Sequence, residues 1–154
     1  MLQNLPSWDL SPLFKNTEEC TKGITVLKKN VMQFVGAYKG KMQSVEALEK
    51  ATISYENIID GMHRIGAFAY LHYITHMNDE DRKKLYQNVS EVLAVLSAEM
   101  AFFPIEVNNL KDAVVFDDAL SKYKTYFENI RMYKPFELPE NIEQVLIKKS
   151  VTSS

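Results

Sequence analysis

Apolar residues recur with a helical period along most of this chain. Cys20, Ile24, Leu27, Val31, Phe34 and Tyr38 follow one another at steps of four and three, which places them on one stripe of a helix. A start at Thr17 sets Glu18 and Glu19 in the first turn, where the positive end of the helix dipole favours carboxylates. Gly36 and Gly40 are expected to end this helix. Ser44 then caps a second helix running to about Ile74, with Leu48, Ala51, Tyr55, Ile58, Met62, Ile65 and Phe68 on its inner stripe. Its roughly 31 residues span about 46 Å at 1.5 Å per residue.

A tight turn follows, with Asn78 as cap and Asp79, Glu80 and Asp81 opening a third helix. That helix carries Leu85, Val89, Val92, Leu93, Leu96 and Met100. Pro104 is expected to kink it, because proline lacks a backbone donor and clashes with the preceding turn; the helix then resumes to about Leu110. The second and third helices form a long antiparallel hairpin. A fourth helix starts near Asp117 and turns Leu120, Tyr123, Phe127 and Ile130 inward. Pro135 and Pro139 bracket a turn before a last short helix holding Ile142, Val145 and Leu146. At the other end, Asn4 to Phe14 is irregular: Pro6 and Pro12 flank Trp8, and Trp8, Leu10, Leu13 and Phe14 are expected to anchor the segment to the domain. No period of fixed length repeats, which argues against a helical solenoid. The expected fold is all-α, one helical domain over residues 1–154 built on the long hairpin with flanking helices.

Two of the helices are apolar on more than one side. Between Met62 and Ile74, Arg64 is the one formal charge besides any on the histidines. Between Gln87 and Leu110 the formal charges are Glu91, Glu99 and Glu106, which fall within about 80° of one another on a helical wheel. A helix that is apolar nearly all round is usually buried nearly all round. A four- or five-helix domain has little material to do that, so a further domain or a second copy of the chain is expected to cover it, and self-association follows as an expectation.

Composition changes this picture little. A chain of 154 residues can bury roughly 68–70% of its unfolded surface, enough for one core. A net charge of −2, with lysines in scattered pairs such as Lys28 and Lys29 or Lys83 and Lys84, offers no basic face for nucleic acid. The single cysteine, Cys20, excludes an internal disulfide, fits a reducing cytoplasmic setting, and reads as a core residue. The first residues, MLQNLPSWDL, lack the basic-then-apolar pattern of a signal peptide. No stretch is expected to reach the 18 uncharged apolar residues of a membrane span.

Candidate chemistry is sparse. His72 and His76 stand four apart in HYITH, a spacing that points both imidazoles to one side and suits zinc. A zinc-protease helix reads His-Glu-x-x-His; here Tyr73 replaces the glutamate that would activate water, and no third ligand is near. The expected reading is a helix-end histidine and a core histidine. Asp60-x-x-His63 matches half of a di-iron motif, which needs a second copy and two further glutamates. Gly36-x-x-x-Gly40-Lys41 is one residue shorter than a phosphate loop and is followed by Met42 instead of a hydroxyl residue, so it reads as a helix stop. With no nucleophile elbow and no nucleophile–base pair, no catalytic residue and no metal ligand is assigned.

Four segments taken together resemble a known family. They are WDLSPLF at 8–14, RIGAFAYLHYITHMND at 64–79, LYQNVSEVLAVLSAEMAFFPIEVNNL at 85–110 and NIRMYKPFELPENIEQVLIKKSVT at 129–152. In this order and spacing they resemble the amino-terminal region of oligoendopeptidase F, a family of zinc metallopeptidases that cut short peptides. The resemblance implies an all-helical parent with a deep channel that admits oligopeptides, walled in part by these helices. It also implies a zinc site, His-Glu-x-x-His plus a later glutamate, well downstream. His63, His72 and His76 are followed by Arg64, Tyr73 and Met77, so no catalytic residue of the family falls on this chain. The chain is thus expected to be a hydrolase fragment: the amino-terminal domain alone, without cofactor, its parent carrying zinc. The expected partners are the parent's catalytic domain and, for the parent, short peptides, with no nucleic acid and no membrane. Tyr70, Tyr73 and His76 are candidates for the channel face by their helical spacing alone; the residues that bind substrate stay unassigned. The alternative reading is a free-standing helical interaction module, dimeric through its apolar hairpin.

Overall fold

The computed structural model of the chain describes residues 14–132, so the expected anchoring by Trp8, Leu10 and Leu13 and the expected helix around Ile142, Val145 and Leu146 lie outside the described residues. Helix α1 (Thr17–Tyr38) is capped by Asn16, whose side chain accepts the Glu19 N–H at 2.8 Å. Its predicted stripe is its buried face: Cys20, Ile24, Leu27, Val31 and Phe34 are all buried, and Tyr38 is half-buried. Gly36 lies inside the helix. Gly40 marks the exit, with φ +74°, a left-handed conformation that costs glycine little. The Gly40 N–H donates to Glu106 Oε1 at 2.8 Å, tying this corner to the far end of the chain. An added Cβ at Gly40 would meet nothing within 4 Å, so Gly40→Ala is expected to cost only the backbone penalty, about 1 kcal/mol, read as a lowered urea midpoint with unchanged slope.

Helix α2 (Val45–Ile74) begins where Ser44 accepts the Ala47 N–H at 3.1 Å, as expected of a serine cap. Leu48, Ala51, Ile58, Met62, Ile65 and Phe68 are buried. Helix α3 (Glu80–Met100) is capped by Asp79, one residue after the expected Asn78; its carboxylate accepts the N–H groups of Asp81 and Arg82 at 2.9 and 3.2 Å. Helix α2 packs against both α1 and α3, and α1 touches α3, so the three form a bundle around one core.

Pro104 interrupts the third helix as expected, at Ala101, whose dihedrals stay helical (φ −60°, ψ −23°). Its ring would collide with the carbonyl four residues earlier, that of Met100. There α3 closes, and a separate helix α4 (Phe102–Asn109) starts with Pro104 in its first turn, where a missing N–H costs nothing. Phe102, Phe103, Ile105, Val107 and Asn108 of α4 are all buried. The combined run Glu80–Asn109 is long and apolar enough to cross a membrane by length and composition, more so than the sequence reading allowed, and 39% of its apolar window is buried inside the chain.

The expected fourth helix from Asp117 is split in two and a short helix that was not expected precedes it, so three short pieces follow Leu110. They are α5 (Asp112–Val115), a 3₁₀ turn (Asp118–Tyr123) capped by Asp117 through the Ala119 N–H, and α6 (Lys124–Met132). Leu120, at φ −105° and ψ 17°, departs from helical geometry and interrupts the run. The expected inward residues hold: Leu120, Tyr123 and Phe127 are buried and Ile130 is half-buried. Arg131 closes this end, donating to the Leu110 carbonyl and pairing with Asp112 at 3.2 Å. No strand occurs among the described residues, and the fold is all-α as expected. Helix α5 and the 3₁₀ turn pack on α2, and α6 packs on α4, which covers part of the apolar surplus. Tyr70, Met77 and Val95 on the hairpin, and Val26 and Met32 on α1, remain exposed.

Candidate functional site

The hairpin end gathers the two histidines around a residue that spacing did not single out, Arg82. Its Nη1 donates to the His72 carbonyl at 2.8 Å, to Thr75 Oγ1 at 3.3 Å and to His76 Nδ1 at 2.8 Å. Its Nε lies 3.6 Å from Asp79 Oδ2. A guanidinium only donates, so His76 Nδ1 must accept and its proton sits on Nε2. The His72 ring stacks on Phe68, with centroids 5.1 Å apart, and its Nε2 lies 3.4 Å from Thr17 Oγ1. Burial, then the charge of Arg82, lower the His72 pKa from its ordinary value. This arrangement fits the closing of a helix end, with a cation against the last carbonyls of α2. It does not favour zinc: one imidazole nitrogen is taken by a cation, and Tyr73 stands where the glutamate belongs.

Tyr73 stacks on Tyr86 at 5.3 Å, and Tyr70 tilts against the same ring at 5.8 Å. The three form a ledge across α2 and α3, of which Tyr70 is the most exposed member. On the α2–α6 side, Asp60 and His63 line a shallow cleft of about 300 Å³ with Tyr55, Glu56, Ile59 and Tyr126. The hydroxyls of Tyr55 and Tyr126 are hydrogen-bonded, and burial raises the pKa of both. No group of three or more His, Cys, Asp or Glu side chains able to hold a metal ion occurs among the described residues. The Gly36-to-Lys41 segment is a helix exit: Lys41 Nζ turns back to the Gly36 carbonyl at 3.1 Å. Cys20 is fully buried, and burial pushes its thiol up to about 11, which suits a core residue and not a nucleophile.

Another concavity is one that no motif announced. A groove of about 580 Å³ runs between α1 and α2. Gly23 and Gly61 let the helices approach without filling it: an added Cβ would come within 3.0 Å of the Phe14 ring at Gly23 and 3.4 Å of Leu27 at Gly61. Val26, Leu27, Phe34 and Ile58 supply apolar lining, and Asn30, Gln33 and Asn57 add carboxamides. Phe14 and Arg64 sit at one end, the guanidinium 5.6 Å from the ring centroid. Stripe analysis records which residues face inward, not the space left between two helices.

Comparison with known proteins adds one relation. The chain is 24% identical over 143 residues to an oligoendopeptidase F homolog of Borreliella burgdorferi, a match that takes in 90% of this chain and 24% of that protein. The chain therefore spans about a quarter of the length of the curated relative it matches. No family model matches the chain. No solved structure matches it.

Proposed function

We propose that this chain is the amino-terminal helical domain of an oligoendopeptidase F-like zinc metalloendopeptidase, where it forms part of the wall of the oligopeptide channel and performs no chemistry itself. The observation that carries the reading is the collinear match: nearly the whole chain aligns within a quarter of a protein named for peptide hydrolysis. Three features support it. The polar cluster at the hairpin end is occupied in closing a helix. Among the described residues, Glu56, Asp60 and His63 of the Tyr55–Tyr126 cleft form no group of three able to hold a metal ion. The tyrosine ledge and exposed Val95 offer amphipathic and apolar surface of the kind that interfaces with peptides and domains use.

The test has two arms. The purified chain is expected to cleave no peptide from a mixed oligopeptide library; zinc-dependent, chelator-sensitive cleavage by pure material would overturn the non-catalytic assignment. The gene is expected to read on several hundred codons past Ser154 and to encode His-Glu-x-x-His there. A natural stop codon directly after Ser154 would overturn the domain assignment in favour of a free-standing interaction module.

A further inference from the structure

The turn that joins α2 to α3 is held by a cation, Arg82, one of whose acceptors can itself become a cation. We propose that His76 is a pH-sensitive latch on this turn: neutral, it holds the Arg82 guanidinium against the end of α2; protonated, it expels the guanidinium and the hairpin tip opens.

The end of α2 depends on side-chain donors. Its capping residue, Thr75, keeps helical dihedrals (φ −75°, ψ −18°), so no left-handed residue folds the chain back onto the last carbonyls. Two side chains serve them instead. The Thr75 hydroxyl has one proton to share between the Leu71 and His72 carbonyls, at 3.0 and 3.2 Å. Arg82 Nη1 supplies the rest, reaching the His72 carbonyl at 2.8 Å.

The same Nη1 lies 2.8 Å from His76 Nδ1, which must then be a bare, accepting nitrogen. An imidazolium has no such nitrogen. A proton on Nδ1 sets two donors face to face and two positive charges in contact, so the bond becomes a repulsion. Asp79 gives the second state its counter-ion. Its carboxylate now lies 3.6 Å from Arg82 Nε, and its N–H bonds the His76 carbonyl at 3.0 Å. An imidazolium at His76 competes for that carboxylate, so Arg82 loses two partners in one step. Arg82 and Asp79 face His76 from the α3 side, and His72 acts on it from one turn back on α2. Helix α1 brings the Thr17 hydroxyl to His72 Nε2 at 3.4 Å, and the carboxylates of its first turn are directed elsewhere, Glu18 to Lys22 and Glu19 to the Lys15 N–H. Histidine is the side chain whose charge ordinarily changes between about pH 5 and 8, so the latch is closed at the upper end of that range and open at the lower.

The test uses the full chain, labelled with ¹⁵N, at about pH 7.5 and about pH 5. At the higher pH the His76 ring is expected to carry its proton on Nε2; a proton on Nδ1 would overturn the proposal. At the lower pH, the amides of Thr75, His76 and Asp79 are expected to lose protection against hydrogen exchange, relative to the intrinsic rate at each pH, by roughly 2- to 10-fold, what one lost hydrogen bond allows. The amides of Leu27 and Val31 and the helical circular dichroism are expected to stay as they were. His76→Asn keeps an acceptor and cannot charge, so protection is expected to be full at both pH values. Arg82→Met has no guanidinium to expel, so protection is expected to be low at both. His72→Gln removes the other titrating ring and is expected to leave the opening in place. Equal protection at the two pH values in the unmodified chain would mean that the imidazolium swings away while Arg82 stays, and would overturn the latch. Opening that persists in His76→Asn, or vanishes in His72→Gln, would assign the trigger to another group and overturn it as well.

Discussion

Phe103→Ala is expected to destabilise the chain by about 3–5 kcal/mol, the range for truncating a large buried aromatic. Phe103 is fully buried, stacks on Tyr55 with centroids 4.2 Å apart and 15° between planes, and tilts against Phe34 at 6.1 Å. The cavity would open where α1, α2 and α4 meet, so no single flexible side chain can collapse into it. A second consequence follows through Tyr55, whose hydroxyl is bonded to Tyr126 on α6. With its stacking partner gone, Tyr55 loses its fixed ring position, and the amides of α6 are expected to exchange faster than those of α1. Urea unfolding followed by circular dichroism measures the first effect and hydrogen exchange the second. A loss below about 1.5 kcal/mol would mean that α4 does not sit in the core as described.

That α4 sits there was only half visible in the sequence. The stripes of α1 and α2 were legible almost residue by residue, because each long helix has one apolar face and the period of 3.6 exposes it. The apolar surplus between Gln87 and Leu110 was legible too, but not its destination. Pro104 signalled the interruption, which falls at Ala101, ahead of the proline, because the ring crowds the carbonyl of Met100. With α6 packed on α4 and the Phe103 ring stacked on Tyr55, Phe102, Phe103 and Val107 belong to the core. The two pieces after Asp117 read as one helix because Leu120, Tyr123 and Phe127 keep helical spacing through a 3₁₀ turn of similar pitch.

The polar features were less legible because they are long-range. Glu106 reaches Gly40 across 66 positions, and no local pattern pairs a mid-helix glutamate with a distant turn. Arg82 lies only six residues from His76, yet the histidine spacing drew attention to metal chemistry, while the guanidinium that occupies Nδ1 was one charge among several in the first turns of α3. Spacing tells which side chains share a face. It does not tell which of their lone pairs are already engaged.

Arg82→Met keeps the apolar stem and removes the charge, and it is expected to cost about 1–2 kcal/mol. About 0.5–1.5 comes from the bond to the His72 carbonyl, and about 0.3–1 from the cation at the C-terminal end of α2. The ion pair with Asp79 adds little, since Asp79 is 45% exposed. The pH dependence is the sharper readout. His72 is held below its ordinary value of 6.5 by burial and then by Arg82, so the unfolded chain takes up a proton more readily than the folded one. Stability is therefore fullest above that ordinary value and declines as pH falls from it toward the lowered folded value. In Arg82→Met one of the lowering causes is gone, leaving burial and the smaller effect of His76, so the decline is expected to shrink and the His72 titration, followed by NMR, to move upward. His76 loses its donor at the same time, and its ring is expected to reorient, visible in the same spectra. An unchanged His72 titration would show that burial against Phe68 alone sets it, and that Arg82 closes the helix without acting on the imidazole.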